Sequence, residues 1–251
     1  MRGSCGRKEV QQKQFYVGYK ERVMALVLSP SNMMTYISCP RKFYGQSIQK
    51  LDALKWKASA QLSRGSVIHT KIQNCMQKGI QAMGSFDKDL NSSYTTDIVN
   101  WSRQQTLEGS NLFIEKELCI NHSYKPSGWW DEDTLLRAKA DALFLYKDKP
   151  PVIIDIKTGK RWDDDDFQVR VEALLVHLIY NQPVVKYEYW YVDIGETHDG
   201  LVDFNQGVGL VQDVIDTMMN MKNSIRDTNF PPKANKFCKW CGLHQTKECG
   251  L

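Results

Sequence analysis

The sequence predicts an α/β fold, in which a sheet of β-strands is flanked by helices. Two observations indicate the strands: a β-prone hairpin formed by residues 135–146 and 152–157, and the strongly β-prone run 184–192. A third observation indicates the helices, because apolar residues recur at helical spacing on both sides of the hairpin. The chain of 251 residues is long enough for one sizeable domain of this kind.

Each helix is predicted from its own signal. Ser29 followed by Pro30 marks a helix start, because serine caps the first turn and proline fits the first helical position. Gly65 opens a second helix with an apolar face that packs inward. Further helices are expected at 94–107, 164–181 and 208–225, and further strands at 113–120 and 201–204. The inward face of the second helix consists of Val67, Ile68, Ile72, Cys75, Met76 and Ile80.

Three charged residues of the hairpin form the candidate site. Asp155 and Lys157 share a face of their strand, since residues i and i+2 point the same way. Asp141 comes within reach if the hairpin turns near Lys149. Carboxylates on a buried strand cost free energy unless they are compensated, and Mg²⁺ or Mn²⁺ would compensate them. The alternative is a structural Asp155–Lys157 ion pair beside a solvated Asp141.

The cysteines indicate metal ligation or free thiols. There are seven, an odd number, in a chain that begins with polar residues and has no apolar run of membrane-spanning length. We therefore expect a cytoplasmic protein without a disulfide framework. Cys238, Cys241 and Cys249 lie in a C-terminal segment, 231–251, that is too short and polar to form its own core. A zinc knuckle with His244 as the fourth ligand is one interpretation.

The charge balance permits a nucleic-acid partner. The net charge is +4, with a sequence pI of about 8.6. Residues 1–23 are polar and weakly periodic, and we expect a flexible extension there, with a basic DNA-contacting arm as the alternative. No ATP-binding loop or helicase motif occurs in the sequence.

Several motifs resemble those of one nuclease family. Asp141, followed by the run Ile153-Ile154-Asp155-Ile156-Lys157-Thr158-Gly159, resembles the catalytic core of the PD-(D/E)XK nuclease superfamily in its RecB-like exonuclease branch. Gly65-x₃-His69 resembles the upstream motif whose histidine ligates the metal. Gln168 lies where the branch has Q-x₃-Y, although Glu172 replaces the tyrosine. The run from Ser31 through Tyr36 to Cys39-Pro-Arg-Lys-Phe is similar to the opening of the members that carry an iron–sulphur cluster.

This resemblance implies a restriction-endonuclease-like fold, with a mixed central sheet, in a single nuclease domain spanning 24–251. It also implies a site that binds Mg²⁺ or Mn²⁺. Its ligands would be His69, Asp141, Asp155 and the carbonyl of Ile156. Lys157 would orient the attacking water or stabilise the transition state, and Gln168 would organise the site or contact DNA.

The resemblance further implies a [4Fe–4S] cluster on Cys39, Cys238, Cys241 and Cys249, which would join the N- and C-terminal segments. Zinc at the same cysteines is the alternative, because four thiolates accommodate either group.

The implied activity is metal-dependent DNA exonuclease hydrolysis in recombination, repair, phage DNA processing or CRISPR adaptation. DNA ends, single-stranded or duplex, are the expected substrate, and a helicase, a recombination protein or a CRISPR-adaptation protein is a candidate partner; oligomers occur among related exonucleases. Two alternatives stay open: a non-catalytic DNA-binding or regulatory relative that acts with a partner protein, and a zinc-stabilised nuclease. The sequence also leaves open the polarity of digestion, the strand preference and the oligomeric state.

Overall fold

The computed structural model describes residues 26–51, 60–161, 166–245 and 249. The extension predicted at 1–23 lies outside them, as does the predicted helix start at Asp164. Among the described residues, four α-helices come first, three strands follow, one α-helix leads into two further strands, and two α-helices end the order. The main elements are α1 (Pro30–Ser38), α2 (Pro40–Phe43), α3 (Ala60–Lys78), α4 (Ser92–Leu107), β1 (Asn111–Asn121), β2 (Thr134–Leu145), β3 (Val152–Lys157), α5 (Asp166–Tyr180), β4 (Val184–Tyr191), β5 (Glu196–Asp203), α6 (Gln212–Asp227) and α7 (Gly242–Gln245).

The strands form one mixed sheet in the order β1-β2-β3-β4-β5. β3 and β4 run parallel, while the other neighbouring pairs are antiparallel. The parallel pair requires a crossover connection, which α5 provides. The prediction of a mixed central sheet flanked by helices is therefore confirmed.

The apolar run of β3 is explained by burial on both faces of the sheet. Ile153 packs on one face, in a core formed with α1, α5 and α6. Ile154 and Ile156 pack on the opposite face, against α3 and α4. Asp155 and Lys157 share the parity of Ile153 and therefore belong to the α5 side of the sheet.

The first helix is capped as the sequence predicts. Ser29 Oγ accepts a hydrogen bond from the backbone N–H of Asn32, and the Asn32 side chain accepts one from the N–H of Ser29. Pro30 occupies the first turn. These two reciprocal bonds satisfy donors that a helix start otherwise leaves unpaired.

Two details of the second predicted helix are wrong. α3 already includes Ala60, so Gly65 lies inside the helix and does not open it. A Cβ on Gly65 would lie 3.3 Å from Thr158 Oγ1, so the helix passes closely over the end of β3 at this point. Val67 was expected in the core, but it is 51% exposed, because the buried stripe of α3 runs through Ile68, Ile72, Cys75 and Met76 on an adjacent face.

The other element predictions differ mainly at their ends. β5 begins at Glu196, earlier than expected. Its first residues are polar, so no apolar pattern marks them as a strand, but they pair with β4 at the edge of the sheet. A short 3₁₀ turn, Gly209–Val211, precedes α6, where one continuous helix was expected. In the part of the chain described above, no helix combines the length and apolar character that crossing a membrane requires.

Candidate active site

Asp141 lies where β2 and β3 stop pairing. Their ladder runs from Phe144–Val152 to Ala142–Ile154 and does not continue to Asp141. Instead, Oδ2 of Asp141 accepts a hydrogen bond of 2.8 Å from the backbone N–H of Ile156. The carboxylate thus takes the place of a backbone acceptor between the two strands. This holds Asp141 beside Ile156, at the end of β3.

The same position marks a change in the faces of β2. Ala138 and Ala140 pack into the core on the α5 side, whereas Ala142 and Phe144 pack on the α3 side. β1 has a matching irregularity at Glu115, whose φ of 51° is left-handed.

Gln73 of α3 bridges the two irregular positions. Its Nε2 donates to Glu115 Oε1 at 2.7 Å and to the carbonyl of Asp141 at 3.3 Å. These hydrogen bonds hold α3 against β1 and β2 at the irregular positions. His69, on the same helix, therefore lies beside Asp141.

His69 contacts the second oxygen of Asp141. Its Nδ1 lies 3.2 Å from Asp141 Oδ1. Burial lowers the pKa of His69, but the hydrogen bond and negative charge of Asp141 outweigh it, so the pKa is raised overall. Asp141 therefore favours the protonated form of His69 more than solvent would.

Asp155 is buried and forms an ion pair with Lys157. It is 3% exposed, and Lys157 Nζ lies 2.8 Å from its Oδ2. Lys157 acts on Asp155 through both charge attraction and hydrogen bonding. Burial raises the pKa of Asp155 to about 6, because desolvation and the charge of Asp141 outweigh the attraction of Lys157. Lys157 itself remains about one quarter exposed at its side chain, and a ligand can reach it.

Gln168 connects this pair to α5. Lys157 Nζ donates to Gln168 Oε1 at 3.5 Å, and Gln168 Nε2 donates to Glu172 Oε1 at 3.0 Å. Glu172 is 1% exposed. Burial raises the pKa of Glu172 well above its ordinary value, and the charge of Asp155 raises it further. Sequence reasoning noted Glu172 only as a departure from the Q-x₃-Y motif. The sequence signal that could have marked Glu172 as a site residue is a glutamate one turn after Gln168, among the buried apolar residues of α5.

The donor set suits a hard divalent cation. Asp141, Asp155 and the Ile156 carbonyl offer oxygens, and His69 offers an imidazole nitrogen. In the described ranges, no three His, Cys, Asp or Glu side chains converge as a ready-made metal site. The reason is visible in the contacts: Asp141 is bonded to Ile156 N–H and His69, and Asp155 is paired with Lys157. Cation binding therefore requires these side chains to exchange internal partners for the metal.

The cysteines lie at the junction of the two chain ends. Cys39, between α1 and α2, is buried and accepts a hydrogen bond of 3.4 Å from the N–H of Lys233. Cys238 accepts one of 3.2 Å from the N–H of Asn235. Asn235 Nδ2 also donates to the carbonyl of Ser38 at 3.1 Å. One short segment, 233–238, therefore holds both sulphurs and the end of α1.

Cys241 is half-buried and Cys249 is buried. The cysteines are not gathered into a metal-binding group in the portion of the chain described. Backbone N–H···S bonds such as those at Cys39 and Cys238 are chemically suited to an iron–sulphur cluster, whose potential they tune. The cluster on Cys39, Cys238, Cys241 and Cys249 stays a prediction.

The fold and this site define a class of protein. A mixed sheet with an Asp-x-Lys strand at its centre, an aspartate on the adjoining strand and a histidine on the covering helix is the arrangement that the sequence resemblance implies for a nuclease. The family model of the PD-(D/E)XK nuclease superfamily matches residues 27–246, and the chain belongs to this superfamily. The superfamily expected from the sequence is thereby confirmed.

Among solved structures, the crystal structure of the protein SSO0001 is similar over 100% of both chains, with 13% sequence identity and a TM-score of 0.47. No curated protein matches the sequence significantly.

Proposed function

We propose that this protein is a RecB-like DNA exonuclease that hydrolyses phosphodiester bonds with Mg²⁺ or Mn²⁺. The observation that carries the proposal is a set of two pairs beside Ile156 at the end of β3, His69 with Asp141 and Lys157 with Asp155, in a chain of a nuclease superfamily. The superfamily favours DNA as the substrate, and the Asp-x-Lys-Thr-Gly form favours the RecB-like branch.

His69, Asp141, Asp155 and the Ile156 carbonyl would hold the cation. When bound, Mg²⁺ or Mn²⁺ supplies a water of lowered pKa and neutralises charge that develops on the phosphate. Asp141 and Asp155 would exchange their present internal contacts for the cation.

Lys157 contributes a positioned ammonium group. Asp155 at 2.8 Å and Gln168 at 3.5 Å hold its Nζ at the partly open edge of the site. From there it donates a hydrogen bond to the attacking water or to a phosphate oxygen, and it stabilises the negative charge of the transition state. Gln168 keeps its carbonyl oxygen towards Lys157, because its amide nitrogen is held by Glu172.

The cysteines support a structural role for a [4Fe–4S] cluster. Tethering by segment 233–238 already brings Cys39 to the C-terminal segment, and Phe230 stacks on Tyr44 with ring centroids 4.6 Å apart. A cluster there would clasp the ends of one nuclease domain spanning 24–251. Zinc is the second candidate. Iron, zinc and sulphide analysis of anaerobically purified protein separates them: iron and sulphide with a brown colour support the cluster, while colourless, zinc-loaded, active protein rejects it.

The biological setting that we propose is cytoplasmic processing of DNA ends in recombination, repair, phage DNA metabolism or CRISPR adaptation. A helicase, recombination or CRISPR-adaptation protein is the partner that such a nuclease would serve. In a phage-encoded protein the compartment would be the host cytoplasm.

End-labelled linear DNA and covalently closed circular DNA, each with Mn²⁺, test the activity. We expect the wild type to shorten the linear DNA from its ends and to leave the circle intact, and Asp155→Asn to be inactive. Substrates blocked at the 5′ or the 3′ end then give the polarity. If wild type and variant are equally inactive on single-stranded and duplex ends, the chain is a non-catalytic DNA-binding relative and the exonuclease proposal fails.

A further inference from the structure

Glu172 is a buried carboxylate that the reaction described above uses only indirectly. It lies on α5, the helix that packs on the face of the sheet from which Asp155 and Lys157 project. Its Oε1 accepts the amide N–H of Gln168. Its Oε2 is buried and makes no hydrogen bond within the described ranges. An anchor for Gln168 needs one acceptor atom, so the second oxygen calls for another explanation.

The charges around Glu172 indicate why its second oxygen is buried without a hydrogen bond in the described residues. The charged groups that act on it are Asp155, Asp141 and Lys157, in that order. Two of the three are negative, and Lys157 is already paired with Asp155 at 2.8 Å. Buried carboxylates in such numbers are tolerated when an additional cation compensates them. One divalent cation together with Lys157 would balance the three carboxylates.

We propose that Glu172 is a third carboxylate of the divalent-cation site, beside Asp141 and Asp155. The inference rests on the proposed function, because it assigns a further residue to the same cation. It is specific to this chain, in which a glutamate stands at the position of the motif's tyrosine. With a cation bound, a glutamate there supplies a negative charge that a tyrosine lacks at neutral pH. Glu172 therefore strengthens cation binding as well as holding Gln168.

Calorimetric titration with MnCl₂ tests the proposal on the whole protein. The variants are Glu172→Gln, which removes the charge but keeps the shape, and Glu172→Asp, which keeps the charge. Glu188→Gln is the matched control: Glu188 is a half-buried glutamate on β4 that pairs with Ile154, on the opposite face of the sheet, and bonds Trp190 Nε1 at 2.9 Å. Asp155→Asn reports the cation site itself. Thermal unfolding in EDTA shows that each variant is folded.

We expect Glu172→Gln to weaken Mn²⁺ binding about 10- to 100-fold, the range found when groups supporting a metal site are removed. In EDTA the same variant should melt at or above the temperature of the wild type, because glutamine keeps the acceptor for Gln168 and removes a carboxyl whose ionisation burial and Asp155 disfavour. Glu172→Asp should bind Mn²⁺ more tightly than Glu172→Gln, and Glu188→Gln should bind it like the wild type.

The outcomes separate this inference from the proposed function. Wild-type Mn²⁺ affinity in Glu172→Gln, with binding lost in Asp155→Asn, overturns the role of Glu172 and leaves the cation site intact. Equal weakening in Glu172→Asp and Glu172→Gln, with both variants less stable than the wild type in EDTA, also overturns it and assigns Glu172 to packing. Absence of Mn²⁺ binding by the wild type contradicts the metal-dependent function itself.

Discussion

The buried Asp155 makes the stability of the metal-free protein depend on pH in an unusual direction. Its pKa is raised from 3.8 to about 6 in the folded state. Between these values the folded protein binds more protons at this group than the unfolded chain does, so stability falls as pH rises. The raised pKa of His69 acts in the same direction, because stability present below its ordinary pKa of 6.5 is lost as pH rises through the folded value.

The size of the Asp155 contribution follows from the shift. A shift of about 2 pKa units corresponds to about 3 kcal/mol in total, of which about 2 kcal/mol is lost between about pH 4.5 and about pH 7.5. Asp155→Asn does not titrate and lacks this loss. The free energy of unfolding of the variant, relative to the wild type, should therefore increase by about 2 kcal/mol over that interval.

Urea unfolding in EDTA, followed by tryptophan fluorescence, measures this difference at the two pH values. The comparison with Asp155→Asn cancels the titration of the exposed carboxylates, which both proteins share. Added Mn²⁺ should remove most of the loss in the wild type, because a bound cation stabilises the ionised carboxylates. A wild-type-minus-variant difference that stays constant with pH would refute the account of Asp155 as a desolvated, repelled carboxylate.

Four further predictions follow from individual contacts. Lys157→Ala should lower kcat about 10²- to 10³-fold in single-turnover cleavage with little change in KM, since its ammonium acts mainly on the transition state; a change confined to KM would assign Lys157 to substrate binding. His69→Ala should weaken Mn²⁺ affinity in calorimetry, and unchanged affinity would exclude the imidazole as a ligand. Ser29→Ala should destabilise the protein by about 1 kcal/mol in urea unfolding through loss of the helix cap, whereas Ser31→Ala, at a neighbouring position, should cost less. Cys39→Ser and Cys238→Ser should each reduce iron content, while Cys75→Ser, a buried cysteine of α3, should retain it; equal iron in all three variants would contradict the cluster.

The relative positions of the β3 residues could be predicted well, because the geometry of a single strand fixes which side chains share a face. The i, i+2 spacing of Asp155 and Lys157 was enough to place both on one face, and the apolar run around them was enough to predict a central strand. The position of Asp141 depended on a pairing register that the sequence does not contain. The structure resolves it by ending the ladder at Ala142 and letting the Asp141 side chain bond Ile156 N–H.

Other features depended on tertiary contacts that local patterns do not show. Gly65 resembled a helix start, yet it lies within α3 at the close approach to Thr158. Glu172 was noted only as a substitution, because its surroundings come from β2 and β3 as well as from its own helix. The spacing of the cysteines indicated their chemistry, but the contact of Cys39 with segment 233–238 links residues almost two hundred positions apart.

The most direct measurement of the central claim is an anomalous-scattering map from crystals grown with Mn²⁺ and a non-cleavable DNA end. The account predicts a Mn²⁺ peak about 2 Å from carboxylate oxygens of Asp141 and Asp155, with Lys157 Nζ facing the phosphate of the bond to be cut. A Mn²⁺ peak bound elsewhere, with the DNA phosphate remote from the end of β3, would contradict it.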